Sequence, residues 1–282
     1  MVTSFKDLGK SARDLFDKHF KYGFVNFDFK TKTKNDIAVN CGGKHDTKSQ
    51  QITGYLESKL KPTKGVSIKT KVDSNWVVVA DLEVDKKFHK GLSHNAVATV
   101  ETESGKKSLQ LKNKFKHDLL NVGLDMDFHS KYPHMTGSFV VPMPHLEAFV
   151  LGVQGTIETE PFKLKKHIYT LGFKQDDLRL TASLIDHANI DLSVYQEHKD
   201  MQMAFKVGWA KETRESSFSA ALQYKISSKS KVKVKIDNNC MVGLMYKLKL
   251  DSDTKVYFCS ELDGKNLESG GHRYGLQFSY GD

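Results

Sequence analysis

The sequence predicts an all-β fold, a transmembrane antiparallel β-barrel of about 19 strands that follows one amphipathic helix. Three observations lead to this fold class. Apolar residues alternate with polar ones from about Tyr22 onward, turn-forming residues interrupt the alternation at short intervals, and no helical periodicity returns later in the chain. The chain therefore divides into a helix with its linker, residues 1–21, and a barrel, residues 22–282.

The N-terminal segment has the spacing of an amphipathic helix. Its apolar residues recur three or four positions apart, namely Phe5, Leu8, Ala12 and Leu15. Ser4 precedes them as a suitable N-cap, and Gly9 lowers the intrinsic stability of the helix. Because a short helix with a narrow apolar stripe is marginal alone, we expect it to lie against another surface.

The remaining chain has the two-residue period of β-strands. In one clear example, apolar residues alternate with polar ones: Leu120, Val122, Leu124 and Met126 against Asn121, Asp125 and Asp127. Turn signals, the first of them Asn35-Asp36, separate runs of about ten residues. Dividing the roughly 255 residues after the helix by a repeat of about 13 gives 19 or 20 strands. Without intervening helices, these strands should form an antiparallel meander.

Alternation alone does not distinguish a membrane barrel from a soluble sheet protein. In a soluble sandwich the apolar face packs on a second sheet, and in a lipocalin-like barrel of about eight strands it points inward. Two observations favour lipid. The polar face is charged along whole strands, as a water-filled lumen allows, and closure removes the exposed edges of so long a sheet.

Composition and motifs exclude several classes of protein. The 282 residues include 43 Lys+Arg and 34 Asp+Glu, and the net charge of +9 suits nucleic acid, an anionic membrane surface or small anions. The aromatic residues mostly share the apolar face instead of interleaving with lysines, so we do not expect a nucleic-acid partner.

No apolar run approaches the ~18 residues of a membrane-spanning helix. Three cysteines without CxxC spacing and 12 scattered histidines predict no metal site. No nucleophile–base set indicates a catalytic residue, and we expect neither an enzyme nor a cofactor.

Several segments resemble the mitochondrial porins, the voltage-dependent anion channels. The N-terminal ones are FKDLGKSARDLF at 5–16, FDFKTKT at 27–33 and GLDMDF at 123–128. The C-terminal ones are IDN at 236–238, GL at 243–244, LDGKN at 262–266 and GGH at 270–272. They occur in the family's order along the whole chain. Nineteen is the known strand number of that family's barrel, so our strand count agrees with it and is not independent of it.

The resemblance implies a pore of the mitochondrial outer membrane through which small metabolites and anions diffuse, chiefly nucleotides, phosphate and organic acids. It also implies that the helix lies inside the lumen. Leu8 would anchor it there, and Lys10, Arg13 and Lys18 would line the pathway.

Strand parity adds further candidate pore-lining lysines: Lys30, Lys112, Lys114, Lys116, Lys231, Lys233 and Lys235. Rings of such cations would lower the energy of permeating anions without binding them tightly. Lys265 lies where the family contacts nucleotides weakly. Since no GxxxxGK[ST] loop is present, the sequence does not predict tight nucleotide binding.

The last strand resembles the family's sorting signal, with candidate residues Arg273, Gly275, Phe278 and Tyr280. The resemblance therefore implies the mitochondrial barrel-sorting machinery as a partner. The other expected partners are the lipid bilayer, the permeating metabolites and inorganic anions, and a second copy of the chain in a homo-oligomer.

The chain also departs from the family pattern. Its glycine-rich hinge is reduced to Gly23, the family's lipid-facing acid is replaced by Thr70, and one lumenal lysine is replaced by Ser93. These changes indicate a diverged paralogue. An alternative is therefore a paralogue with altered selectivity or gating that acts mainly as an interaction platform.

Overall fold

A computed structural model describes residues 3–33, 37–87, 89–129, 132–160, 162–268 and 270–281. The turn predicted at Asn35-Asp36 lies outside these residues. The described chain forms a 3₁₀ turn at Phe5–Asp7, an α-helix, α1, at Lys10–Asp17, and nineteen strands. The strands are β1 Phe24–Lys32, β2 Ala38–Asp46, β3 Ile52–Thr63, β4 Val66–Asp73, β5 Val77–Asp85, β6 Leu92–Glu101, β7 Lys107–Lys116, β8 Asn121–Asp127, β9 His134–Met143, β10 Leu146–Glu158, β11 Lys163–Gln175, β12 Leu178–Ile185, β13 Asn189–His198, β14 Met201–Ala210, β15 Glu215–Lys225, β16 Ser230–Asp237, β17 Met241–Lys249, β18 Thr254–Asp263 and β19 Arg273–Tyr280.

The nineteen described strands form one sheet that closes into a barrel. Strands that follow each other in the chain pair antiparallel, as β13 does with β14 and β14 with β15. The first and last strands instead pair in parallel, with Val25 opposite Leu276 and Phe29 opposite Tyr280. We call this β1–β19 pairing the seam. The predicted fold class, an antiparallel barrel of about 19 strands, is confirmed.

Backbone contacts divide the chain into two compact units. The first comprises Met1–Leu8, Lys30–Cys41 and Thr53–Leu171, and the second comprises Gly9–Phe29, Gly42–Ile52 and Gly172–Asp282. In the first unit, the 3₁₀ turn packs on β9 and β10. In the second unit, α1 packs on β13, β14 and β15.

The N-terminal segment is not one continuous helix, as its spacing predicts, but two helical pieces. Gly9 separates them with a left-handed backbone, at φ +66°. Residues other than glycine rarely adopt this conformation, so the one glycine in the segment determines where it bends. Ser4 caps no backbone group and instead donates a hydrogen bond to Oδ2 of Asp7 at 2.6 Å. In the described part of the chain, no helix has both the length and the apolar character needed to cross a bilayer.

The two faces of the sheet alternate as the sequence predicts, and the helical pieces lie on the polar one. On β14, Phe205 and Val207 are exposed, whereas Ala204 is fully buried among residues of α1. On β8, in the other unit, Val122 is exposed, whereas Asp125 forms a 2.7 Å ion pair with Lys6 of the 3₁₀ turn. The helix therefore lies in the lumen, and the apolar face points outward.

Candidate lumenal site

The α-helix packs closely on the lumenal wall of the second unit. Its buried residues form one cluster with three residues of the wall: Ala12, Leu15 and Phe16 with Tyr195, Ala204 and Ala221. The two wall alanines leave room for the helix to approach the backbone. Small residues on the polar face of β14 and β15 were a signal for this docking site, and our sequence analysis missed it.

An arginine that we did not predict holds the first turn of the helix. Nη1 of Arg179, on β12, donates a hydrogen bond to Oγ of Ser11. The same guanidinium lies 5.4 Å from the ring centroid of Tyr195 on β13, within cation–π range. Arg179 therefore ties the helix to two adjacent strands.

Two of the predicted lysines contact the C-terminal end of the helix. Nζ of Lys233 lies 3.2 Å from the carbonyl oxygen of Asp14 and 3.3 Å from that of Lys18. Nζ of Lys235 lies 3.0 Å from the carbonyl oxygen of Phe16. Lys233 is buried and Lys235 is half-buried.

In the first unit, Leu8 lies buried against Val140 of β9, with Phe5 and Val150 beside it. The contact requires a glycine on β10. A Cβ added at Gly152 would lie 2.7 Å from Cδ1 of Leu8 and 2.9 Å from Cδ2 of Phe5. This apolar contact is compatible with the anchor role expected of Leu8.

The remaining cations predicted near the helix occupy different surroundings. The side chains of Lys10, Arg13 and Lys18 are exposed, and Lys30 is half-buried on β1. A Cβ at Gly9 would lie 3.3 Å from Nη1 of Arg13, so the guanidinium folds back over the helix start.

The three predicted lysines of β7 lie on the lumenal face of the first unit. In the β7–β8 register, Lys112 is opposite Asp125, Lys114 is opposite Gly123, and Lys116 is opposite Asn121. An acidic residue therefore faces one of these cations directly across the ladder, which reduces the local excess of positive charge.

Lysines face lysines in the second unit. Lys231 lies directly opposite Lys225 on one side and Lys247 on the other. We call these three the lysine row. Lys225 also pairs with Asp200, at 3.4 Å. Lys225 and Lys247 were not among our predictions, although both lie on the polar face that the alternation identifies.

A cavity of about 340 Å³ lies between the helix and two residues of the lysine row, Lys231 and Lys247. Its lining is mostly polar: it includes the lysines Lys18, Lys231, Lys233 and Lys247 and the carboxylate of Asp14, with Leu15 and Met245 as apolar members. Four lysines and one carboxylate line this space, so its excess of positive charge is suited to small anions.

The linker after the helix packs against β17, β18 and β19. The His19 ring stacks on Tyr257 at a centroid distance of 4.4 Å. Burial, and then the positive charges of nearby lysines led by Lys233, lower the pKa of His19 from 6.5 to about 4. Burial, followed by the negative charge of Glu261, raises the pKa of the Tyr22 hydroxyl.

Gly23, the predicted hinge, has φ +76° and is bonded on both sides. Its N–H donates to the carbonyl oxygen of Tyr274 at 2.8 Å, and its own carbonyl accepts from the Thr47 N–H at 2.9 Å. Both of these hydrogen bonds join backbone atoms.

The predicted sorting residues also have structural neighbours. Nε of Arg273 donates to Oε2 of Glu261 at 2.6 Å. Phe278 stacks on Phe27, and Tyr280 stacks on Phe29, each at 5.0 Å across the seam. Lys265 is exposed in the loop after β18, where its backbone N–H donates to Asp263 at 2.9 Å.

Comparison with known proteins gives matches over nearly the whole chain. The family described as Eukaryotic porin matches residues 2–275. The non-selective voltage-gated ion channel VDAC2 of Xenopus laevis is 31% identical over 275 residues, 97% of this chain and 96% of the relative. The non-selective voltage-gated ion channel VDAC1 of Homo sapiens is 29% identical over 279 residues, 98% of each chain.

Proposed function

We infer the function of this chain from its family: it belongs to the eukaryotic porins and is a channel-forming porin. Its partners are therefore the membrane and the solutes that permeate the pore. Beyond this, we propose a voltage-gated channel of the mitochondrial outer membrane that passes small metabolites and anions with a modest preference for anions. The relatives are named as non-selective voltage-gated ion channels, which supports gating by voltage. The preference is supported by the charges on the wall alone.

The lysine row is the observation that carries the proposed anion preference. Like charges directly opposite each other destabilise a sheet, so Lys225, Lys231 and Lys247 violate a local rule of strand pairing. Natural proteins break such rules at functional sites. A row of amines along a polar cavity would lower the energy of an anion in transit without enclosing it.

The helix segment, residues 1–21, is proposed to narrow the pathway, and residues 22–282 to form the wall. Lys10, Arg13 and Lys18 would add cations at the narrowing, and Lys30, Lys112, Lys114 and Lys116 would extend the cationic surface. Lys265 is proposed as a weak contact for nucleotides. Arg273, Gly275, Phe278 and Tyr280 would form the sorting signal, and homo-oligomers would form in the bilayer.

Planar-bilayer recording tests the proposal. We expect the reconstituted barrel to form stable pores whose reversal potential in a potassium chloride gradient has the sign of chloride preference. Replacing Lys10 and Arg13 by Glu should reduce or invert that potential, because both exposed cations lie on the lumenal helix.

The matched control is Lys64→Glu, the same change of charge in the exposed turn between β3 and β4, which should alter the potential little. A preference for potassium in the unaltered chain would overturn the assigned selectivity. A folded barrel that inserts but does not conduct would instead support the interaction platform.

A further inference from the structure

We propose that Lys233 and Lys235 act together as a latch, a pair of cations that fixes the C-terminal end of α1 to the wall. The sequence assigns both residues to anion selectivity because of their face on β16. The contacts of their amines assign them to positioning the helix.

The last turn of the helix carries negative charge that no basic residue within that turn offsets. The last carbonyl oxygens of a helix carry the negative end of its dipole and in general lack intrahelical partners. In α1 the carbonyl oxygen of Asp14 accepts the N–H of Lys18 at 3.1 Å, so a lysine amine is a second donor there. Over its fully described span, Lys10–Asp17, α1 has no basic residue in its last turn. It has Asp14 and Asp17 there instead, which makes this end more negative.

The wall supplies cationic partners in a suitable geometry. Alternate residues of a strand lie about 6.6 Å apart on one face, close to the pitch of an α-helix, about 5.4 Å. Lys233 accordingly reaches two carbonyl oxygens one turn apart, those of Asp14 and Lys18, at 3.2 and 3.3 Å. Lys235 reaches the carbonyl oxygen between them, that of Phe16, at 3.0 Å.

Burial separates Lys233 from a lysine that serves permeating ions, and a ring contact adds to the role of the half-buried Lys235. Only 5% of Lys233 is exposed, and a buried amine is costly unless it is hydrogen-bonded. Nζ of Lys235 also lies 4.6 Å from the ring centroid of Phe20 and 5.6 Å from that of Tyr22. The latch thus holds the linker as well as the helix.

Lys231 provides a matched comparison on the same strand and face. It lies two residues before Lys233, and both residues line the cavity, but Lys231 is half-buried whereas Lys233 is buried against the carbonyl oxygens of the helix. Removing its charge should therefore affect the cavity and leave the helix end in place.

Hydrogen exchange of the backbone amides of residues 10–17, in the reconstituted full chain, tests the latch. Lys233→Met with Lys235→Met keeps most of the side-chain volume and removes both amines. We expect exchange of these amides to rise by about tenfold or more, since hydrogen bonds to a charged amine are lost. Lys231→Met should leave their exchange unchanged, and Lys235→Arg alone, which keeps a cationic donor, should stay close to the unaltered chain.

In the same experiment, the amides of β13 to β15 report whether the barrel is folded. If the double Met variant does not fold, Lys233→Met and Lys235→Met are measured singly in its place. Open-channel current noise at low voltage should also increase in the Met variants and not in Lys235→Arg. Unchanged exchange of residues 10–17 in a folded Met variant would overturn the latch. The exchange result does not depend on conductance, so it stands apart from the proposed channel activity.

Discussion

Among single residues, Gly275 shows how closely the linker lies on the wall. A Cβ added there would lie 2.0 Å from the backbone carbonyl oxygen of Lys21 and 2.7 Å from Sγ of Cys259. Backbone cannot move aside as a flexible side chain can, so Gly275→Ala should displace the linker at a cost of about 1–3 kcal/mol. The glycine of the proposed sorting signal therefore also has a structural reason to be glycine.

Labelling of Cys259 measures that displacement, because its thiol is buried and donates to the Lys21 carbonyl at 3.2 Å. With Cys41 and Cys240 replaced by Ser, maleimide should modify Cys259 faster in Gly275→Ala. Gly137→Ala is the control, since a Cβ at Gly137 meets nothing within 4 Å. Equal labelling rates in all three chains would show that Lys21 does not rest on Gly275.

His19 gives the linker a dependence on pH. Its pKa in the folded chain, about 4, lies below its ordinary value of 6.5, so the folded state favours the neutral ring. The stabilisation is therefore complete above about pH 6.5 and is lost as the pH falls through about 4. Nuclear magnetic resonance of the imidazole should give a midpoint near 4 in the folded barrel and near 6.5 in denaturant.

His19→Phe is the matched variant, because a phenyl ring can keep the stack on Tyr257 and does not titrate. Between pH 7 and 5, it should lose less stability in urea than the unaltered chain. A folded-state midpoint near 6.5 would mean that His19 is neither buried nor close to Lys233.

At the scale of elements, the strands could be predicted from the sequence far better than the helix contacts. Alternation along β16 identifies the face of Lys233 and Lys235 correctly, because side-chain direction in a strand depends only on residue parity. Their role does not follow from it, since the carbonyl oxygens that they bind are 215 to 219 residues away in sequence. The break at Gly9 was signalled by the glycine itself, although the apolar spacing suggested a continuous helix.

In the seam, stacked side chains reinforce the pairing of two strands. Parallel pairing is slightly weaker than antiparallel pairing, and two stacked aromatic pairs reinforce it, Phe27 with Phe278 and Phe29 with Tyr280. A double-mutant cycle of Phe27→Leu and Phe278→Leu should give a coupling of about 1 kcal/mol in the free energy of unfolding. The control cycle combines Phe27→Leu with Phe218→Leu, two residues on strands that do not pair with each other. Their effects on the free energy of unfolding should be additive. Additivity in the seam cycle would mean that the rings only cover backbone there.

For the whole molecule, the fold class and the family could be obtained from the sequence, and the distribution of charge could not. The net charge of +9 does not say where the excess lies. In the first unit, Asp125 faces Lys112 across the ladder, whereas in the second unit Lys231 faces lysines on both sides. This difference depends on the register between strands, which the two-residue period of a single strand does not contain.

The lysine row should therefore dominate the anion preference. Replacing Lys231 and Lys247 by Glu should move the reversal potential in a potassium chloride gradient toward potassium, because both residues line the cavity beside the helix. Lys229→Glu is the control for charge alone, since this exposed residue lies in the turn between β15 and β16. Its effect should be small, because exposed charges are screened within about 10 Å at 0.1 M salt.

Salt provides a second, independent measurement of the same assignment. Raising the mean salt concentration to 1 M shortens the screening length to about 3 Å. The difference in reversal potential between the unaltered chain and the double Glu variant should therefore shrink. The conductances of the two chains should stay of the same order of magnitude. A preference that is unaffected by the double variant, or one that Lys229→Glu changes equally, would mean that net charge and not the lysine row determines selectivity.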